Sequence, residues 1–339
     1  MEGADAGSHS NSPSPSNSAV CLRGGCAYTQ AALATERTMP IDDPLIPDLP
    51  HPRRVLEAHG LRARRSFGQN FLVAAADFDR IVEAAGVRPD EAVLEIGAGL
   101  GALTARLAAR ARRTVAVEVD RGLHAVAAET LRAFDNVELL LGDFLAGKHG
   151  INPDVTRAAR AAQETTGRPL KVVSNLPYSI SSPVIVCLLE WEVPVGEMFL
   201  MLQEEVADRV MAAPGGREYG PLTVTVGYWA EAEVVFTLGR GAFWPPPQVR
   251  SALVRIEKRR AEAGADYAAF SALVARLFSQ RRKTLGHTLR EGWGEERTRA
   301  TLESAGVAET ARVETLSVQQ LRALARALGT TAGPPHPHR

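Results

Sequence analysis

VLEIGAGLGALTARLAARAR, Val93 to Arg112, sets the frame for reading the rest of the chain. A short apolar run, Val93 to Ile96, enters a turn carrying Gly97, Gly99 and Gly101, and an amphipathic stretch follows: strand, glycine turn, helix. Such a turn lets backbone N–H groups and a helix N-terminus approach a ligand closely. The spacing is GxGxG rather than GxGxxG, and an acid, Glu95, lies inside the strand. Together these favour a nucleoside carrying an amino acid over a pyrophosphate. Working outward, TVAVEVD (Thr114 to Asp120), VELLLGD (Val137 to Asp143), LKVVSN (Leu170 to Asn175) and EMFLMLQ (Glu197 to Gln203) read as further strands. Helical stretches separate them: GLHAVAAETLRAF, an Ala-rich segment within Lys148 to Arg168, and PVIVCLLEW, with EEVADRVMAA after the last. This alternation predicts an α/β fold with a mostly parallel sheet covered on both faces. LTVTVGYWA (Leu222 to Ala230) and AEVVFTL (Ala232 to Leu238) read as an antiparallel pair, and SALVRIE (Ser251 to Glu257) as the last strand. Tyr267 to Leu328 reads as several short amphipathic helices, with a boundary near Arg260.

Three consecutive strand ends carry the residues expected to hold the ligand. Gly97 opens the glycine turn. Glu118, about twenty residues on, can accept hydrogen bonds from two ribose hydroxyls, and Asp143 can accept from an adenine amine. All three fall at the carboxyl edge of the sheet, where open α/β folds bind ligands. The fourth strand ends in Asn175-Leu176-Pro177-Tyr178. An adenine amine is a poor nucleophile because its lone pair is delocalised into the ring. Two acceptors on its hydrogens, the Asn175 side-chain oxygen and the Leu176 carbonyl, favour a pyramidal nitrogen aimed at an electrophilic methyl. Pro177 stiffens the turn, and Tyr178 offers a face for a flipped-out base.

Composition sets outer limits. The 339 residues are enough for two domains, and 45% hydrophobic with 23% charged is ordinary for a globular protein. The apolar segments are too short and too interrupted by charge to span a membrane. Basic and acidic residues balance at 39 each, so any attraction to a polyanion must be local. It is concentrated in two places: Arg53, Arg54, Arg62, Arg64 and Arg65, and Arg276, Arg281, Arg282, Lys283 and Arg290. Three cysteines, two of them in the N-terminal stretch, suggest neither a disulfide framework nor a metal site, and a cytoplasmic location is expected. Residues 1–50 are expected to form a disordered tail, since their Ser, Asn, Pro and Gly content offers little to bury. Met39 is a candidate start.

Several separate motifs resemble one family, the KsgA/RsmA small-subunit (16S) rRNA adenine N6,N6-dimethyltransferases. They are RRSFGQNFL (Arg64 to Leu72), EIGAGLGALT (Glu95 to Thr104), NLPYSISSP (Asn175 to Pro183), QEEV (Gln203 to Val206), FWPPPQV (Phe243 to Val249) and QRRKTL (Gln280 to Leu285). The resemblance spans about Arg62 to Leu328. It implies a Rossmann-like class I methyltransferase domain over 51–260, a helical RNA-binding domain over 261–330, and S-adenosyl-L-methionine as cofactor. It also implies that Asn70 and Leu72 close over the cofactor, that Gly97, Glu118 and Asp143 bind it, and that Asn175 lies beside the methyl group. Asn175, Leu176, Tyr178 and Phe243 become the catalytic set, with Phe243 on the face of the base opposite Tyr178. Small-subunit rRNA in a pre-ribosomal particle is the implied substrate, and a monomer the implied state. Ser174, Ser179, Arg250 and the insertion within Leu145 to Arg168 depart from the family pattern. Alternatives are an Erm-type enzyme acting on large-subunit rRNA and a non-catalytic assembly factor of the same fold. A DNA or glutamine methylase is disfavoured, because Leu176 stands where those carry proline.

Overall fold

The strand that opens the reading, β2 (Ala92–Ile96), is buried along its whole length, as expected for a strand covered on both faces. Its residues alternate between two cores. Leu94 and Ile96 pack on one side with Val155, Ala159, Ile185 and Leu188. Val93 packs on the other with Ile81, Val82, Leu103 and Leu107. The computed structural model describes residues 46–47, 49–64, 68–147, 150–259 and 266–329, all within one compact unit, Met39–Arg339. The expected tail up to residue 45, Arg65, and the boundary at Arg260 lie outside the described residues.

A seven-stranded sheet runs β4-β3-β2-β5-β6-β9-β7, with β3 (Arg113–Glu118), β4 (Val137–Leu141), β5 (Leu170–Asn175), β6 (Val195–Gln203), β7 (Ala230–Leu238) and β9 (Ser251–Lys258). Strands β2 to β6 pair in parallel, and β9 is antiparallel to both β6 and β7. Helices α2 (Ala75–Ala85) and α3 (Ala102–Ala108) cover one face, while α5 (Pro153–Thr166) and α6 (Ser181–Glu190) cover the other. Helix α5 accounts for the Ala-rich segment, with Asn152 capping it and Gly167 ending it in the left-handed region. A second, small pairing lies apart from the sheet: β1 (Phe71–Leu72) runs antiparallel to β8 (Phe243–Trp244).

One element differs from its sequence reading. LTVTVGYWA is not a strand but helix α8 (Pro221–Trp229), and β7 pairs with β9 instead. Pro221 sits at the helix start, where it has no N–H to lose. The β-branched residues are tolerated because α8 is wedged between two cores: Val226 packs toward the sheet, and Val224 and Tyr228 pack toward the C-terminal helices. A helix buried on both sides loses the polar face that would mark its period. Those C-terminal helices are α9 (Tyr267–Ser279), α10 (Leu285–Trp293), α11 (Glu295–Ser304) and α12 (Val318–Leu328). Their core includes Tyr219, whose hydroxyl donates to the Leu316 carbonyl at 2.6 Å.

Candidate active site

The order of the parallel strands reverses beside β2, which has β3 on one side and β5 on the other, and open α/β sheets leave a crevice at such a point. Here the crevice is a cleft of about 670 Å³, counted out to open solvent. Gly97, Glu118, Asp143, Asn175 and Tyr178 line it, with Asn70 and Phe71 reaching over from the N-terminal side.

The glycine turn is shaped by close neighbours. Gly97 has φ +82°, and a Cβ there would lie 3.2 Å from the Pro177 ring. Its N–H donates to the Val117 carbonyl at 2.8 Å, tying the turn to β3. Glu118 ends β3 and is only 4% exposed. Its carboxylate accepts from the Gly99 N–H at 2.8 Å and the Asp120 N–H at 2.9 Å. Burial raises its pKa above the usual carboxylate range, and those two N–H groups pull the other way. The strand stops at Glu118 rather than running to Asp120, because Asp120 caps the next helix, α4 (Arg121–Thr130), accepting from Gly122 and Leu123. Likewise β4 stops at Leu141, so Asp143 lies in the loop beyond the strand. One oxygen of Asp143 accepts from the Leu145 N–H at 2.9 Å.

Glu95 is 1% exposed, and one of its oxygens has no hydrogen-bond partner among the described residues. Burial pushes its carboxyl up to about 8, the Thr104 hydroxyl opposing this and the Glu118 charge adding to it. An adjoining hollow brings Glu95 together with Leu72, Gly97 and Asn175.

Asn175 closes β5, and its amide nitrogen donates to the Asn70 carbonyl at 3.0 Å. That bond fixes the amide, leaving Oδ1 as its acceptor, and fastens the segment around Asn70 over the cleft. Behind it, the Ser174 hydroxyl donates to the Ile96 carbonyl at 2.5 Å, so this departure from the family pattern joins β5 to β2. Leu176 is buried, and Tyr178 begins a 3-10 turn, Tyr178–Ile180, that leads into α6. The Tyr178 hydroxyl lies 2.7 Å from the Ser251 hydroxyl.

Phe243 is not brought to this cleft. It is 2% exposed and packs among Leu72, Ile81 and Leu253, as a core aromatic beside the proline run. Its backbone pairs with Leu72, which holds β1 in place. Several lining or supporting residues escaped the sequence reading, Phe71 and Ser251 among them. Phe71 lines the cleft and packs against Gly99; its place inside RRSFGQNFL was the available signal. Ser251 had none beyond opening a strand.

A family model described as ribosomal RNA adenine dimethylase matches residues 60–328. The chain belongs to this family. Among its relatives in the family is the ribosomal RNA small subunit methyltransferase A of Geobacillus thermodenitrificans, 39% identical over 81% of this chain and 94% of that protein. The protein of the same name from Pelotomaculum thermopropionicum is 40% identical over 80% and 94%. Of solved structures, the 23S rRNA methyltransferase ErmE is similar at 30% identity, covering 76% of this dimethylase-family chain and 99% of its own, with a TM-score of 0.57. A dimethyladenosine transferase from Plasmodium falciparum shares the fold, with a TM-score of 0.60 at 22% identity over 75% and 95%.

Proposed function

We propose that this chain transfers methyl groups from S-adenosyl-L-methionine to the exocyclic N6 of two adjacent adenosines near the 3' end of small-subunit (16S) rRNA, during ribosome biogenesis. The observation that carries the reading is Asn175, whose amide nitrogen is spent on Asn70 so that its oxygen is the acceptor at the end of β5. The relatives named for small-subunit rRNA support the choice of RNA. The working context is a cytoplasmic monomer acting on a pre-ribosomal small-subunit particle.

The residues present fit the cofactor. Glu118 is aimed by two backbone N–H groups and keeps lone pairs for ribose hydroxyls. Glu95 offers a buried oxygen without a partner among the described residues, and Gly97 lines the cleft in a backbone conformation, φ +82°, that residues with a side chain rarely adopt. S-adenosylmethionine supplies an electrophilic methyl on a sulfonium sulfur. Asn70 and Leu72 would close over the cofactor from the N-terminal side, with Gly97 on its methionine half, Glu118 on the ribose and Asp143 on the adenine amine. Asn175 Oδ1 and the Leu176 carbonyl accept the two hydrogens of the target amine, which turns its lone pair toward the methyl. Tyr178 carries the flipped base on its ring. No strong base is required, because the attacked nitrogen becomes acidic as it gains carbon, and rate comes from alignment.

Asn175→Ala removes the acceptor while Glu118, Asp143 and the glycine turn remain. Removing one such transition-state hydrogen bond costs about 100- to 1000-fold in turnover; because the same side chain also holds the Asn70 carbonyl, cofactor affinity weakens with it, and turnover is read at saturating S-adenosylmethionine. The measurement is single-turnover methyl transfer to undermethylated small-subunit particles, resolved into mono- and dimethyladenosine. Transfer by Asn175→Ala at the wild-type rate defeats the mechanism; no transfer by wild type to any adenosine favours a non-catalytic assembly factor. The likeness to ErmE makes large-subunit rRNA the second reading, and mapping which adenosines are modified separates the two.

A further inference from the structure

Tyr178 and Ser251 belong to distant parts of the chain, and the sheet brings them together. Tyr178 follows β5, and Ser251 opens β9. The two strands are not neighbours; both pair with β6, at Asn175 with Met201 and at Ser251 with Gln203. The Tyr178 side chain therefore extends across the carboxyl end of β6 to reach a hydroxyl on the far side. Ser251 is 0% exposed, and the two oxygens are 2.7 Å apart. A buried hydroxyl is costly unless partnered, so this pair holds each member in place. At its other end Tyr178 is packed as closely: a Cβ on Gly68 would lie 3.3 Å from the Tyr178 backbone nitrogen.

We propose that Ser251 is a positioning residue for the target base, holding the Tyr178 ring in one orientation at the cleft wall and tying the Asn175 loop to the strand that follows the proline run. The inference rests on the adenosine reading above and deepens it. It also assigns the Tyr178 hydroxyl a structural role. Engaged by the buried Ser251 hydroxyl, and with burial raising its pKa, it is not the group that takes the proton released from N6. The ring face, held by its far end, is the working part.

Four variants test this with intact protein and undermethylated particles. Ser251→Ala and Tyr178→Phe each delete one half of the hydrogen bond and keep the ring. Each is expected to lower kcat for methyl transfer by about 5- to 10-fold while S-adenosylmethionine affinity stays at the wild-type value. The double variant is expected to lose no more than either single one, because the same bond is removed. Ser251→Thr keeps the hydroxyl and is expected to restore most of the rate. A residue serving only stability would lower thermal stability without this pattern in kcat and without rescue tied to the hydroxyl. Full kcat in Ser251→Ala, or multiplicative losses in the double variant, overturns the proposal while leaving the adenosine reading intact. Absence of transfer by wild type overturns both.

Discussion

Two acids in neighbouring strands face opposite demands at the scale of single residues. Glu118 is aimed by the Gly99 and Asp120 N–H groups, so its substitution disturbs both ligand and loop. Glu118→Ala is expected to cost about 1.5 to 3 kcal/mol of cofactor binding, roughly 10- to 150-fold in Kd. Glu118→Gln, which keeps an acceptor, should lose less. Calorimetry on folded protein decides it, and unchanged S-adenosylmethionine affinity in Glu118→Ala removes Glu118 from the site. Glu95 carries no such anchors, and its carboxyl is pushed up to about 8. Between the ordinary carboxylate range and about 8, the folded protein holds a proton that the unfolded chain has released. Stability therefore falls as pH rises through that window. Glu95→Gln is expected to flatten that slope and raise the melting temperature at pH 8 more than at pH 5. Identical pH profiles for the two proteins, followed by thermal unfolding without cofactor, refute the assignment.

Secondary elements were legible where each one faces a single environment. β2, β3, β5 and β6 read correctly because largely buried strands become short apolar runs between helices with one polar side, and the partly exposed edge strand β4 read from its run of leucines. Their ends were less legible, since caps decide them: Asp120 was read as strand and serves as a helix cap. Helix α8 failed for a related reason, as its burial between two cores removed the polar stripe, and Thr and Val then spoke for a strand. The candidate site follows the same division. Gly97, Glu118, Asp143 and Asn175 could be found because each lies at or just past a strand end, and they do converge on one cleft. Phe243 is known only through its motif, and its ring is buried in the core beside the β1–β8 pairing. Ser251 was invisible because its partner lies 73 residues away in sequence, and only the order β5-β6-β9 joins them.

Charge is a property of the whole molecule, and here it cancels overall, 39 against 39. Attraction to RNA must then come from places where cations outnumber their acidic partners. In the turn between α9 and α10, Arg281 approaches Glu314 at 4.0 Å and Lys283 pairs with Glu291 at 3.1 Å, with both cations on the surface. The Lys283–Glu291 pair is exposed on both sides and contributes about 0 to 1 kcal/mol, so Lys283 remains available to a phosphate at little cost, while Glu314, only 18% exposed, holds Arg281 less loosely. Arg282 is exposed and has no ion pair among the described residues. Arg281 also lines a groove with Ser182, four residues along the chain from Tyr178. Neutralising Arg281, Arg282 and Lys283 to Gln together is expected to weaken binding to pre-ribosomal particles. It should also make log affinity fall less steeply with log salt, by roughly one unit of slope for each phosphate no longer neutralised. Neutralisation is preferable to charge reversal, which would add repulsion with Glu314 and Glu291. Cofactor affinity is the internal control and should not move, since none of the three residues lines the cleft beside Glu118. Equal affinities and equal salt slopes for wild type and the triple variant would show that this turn is only a solvated face.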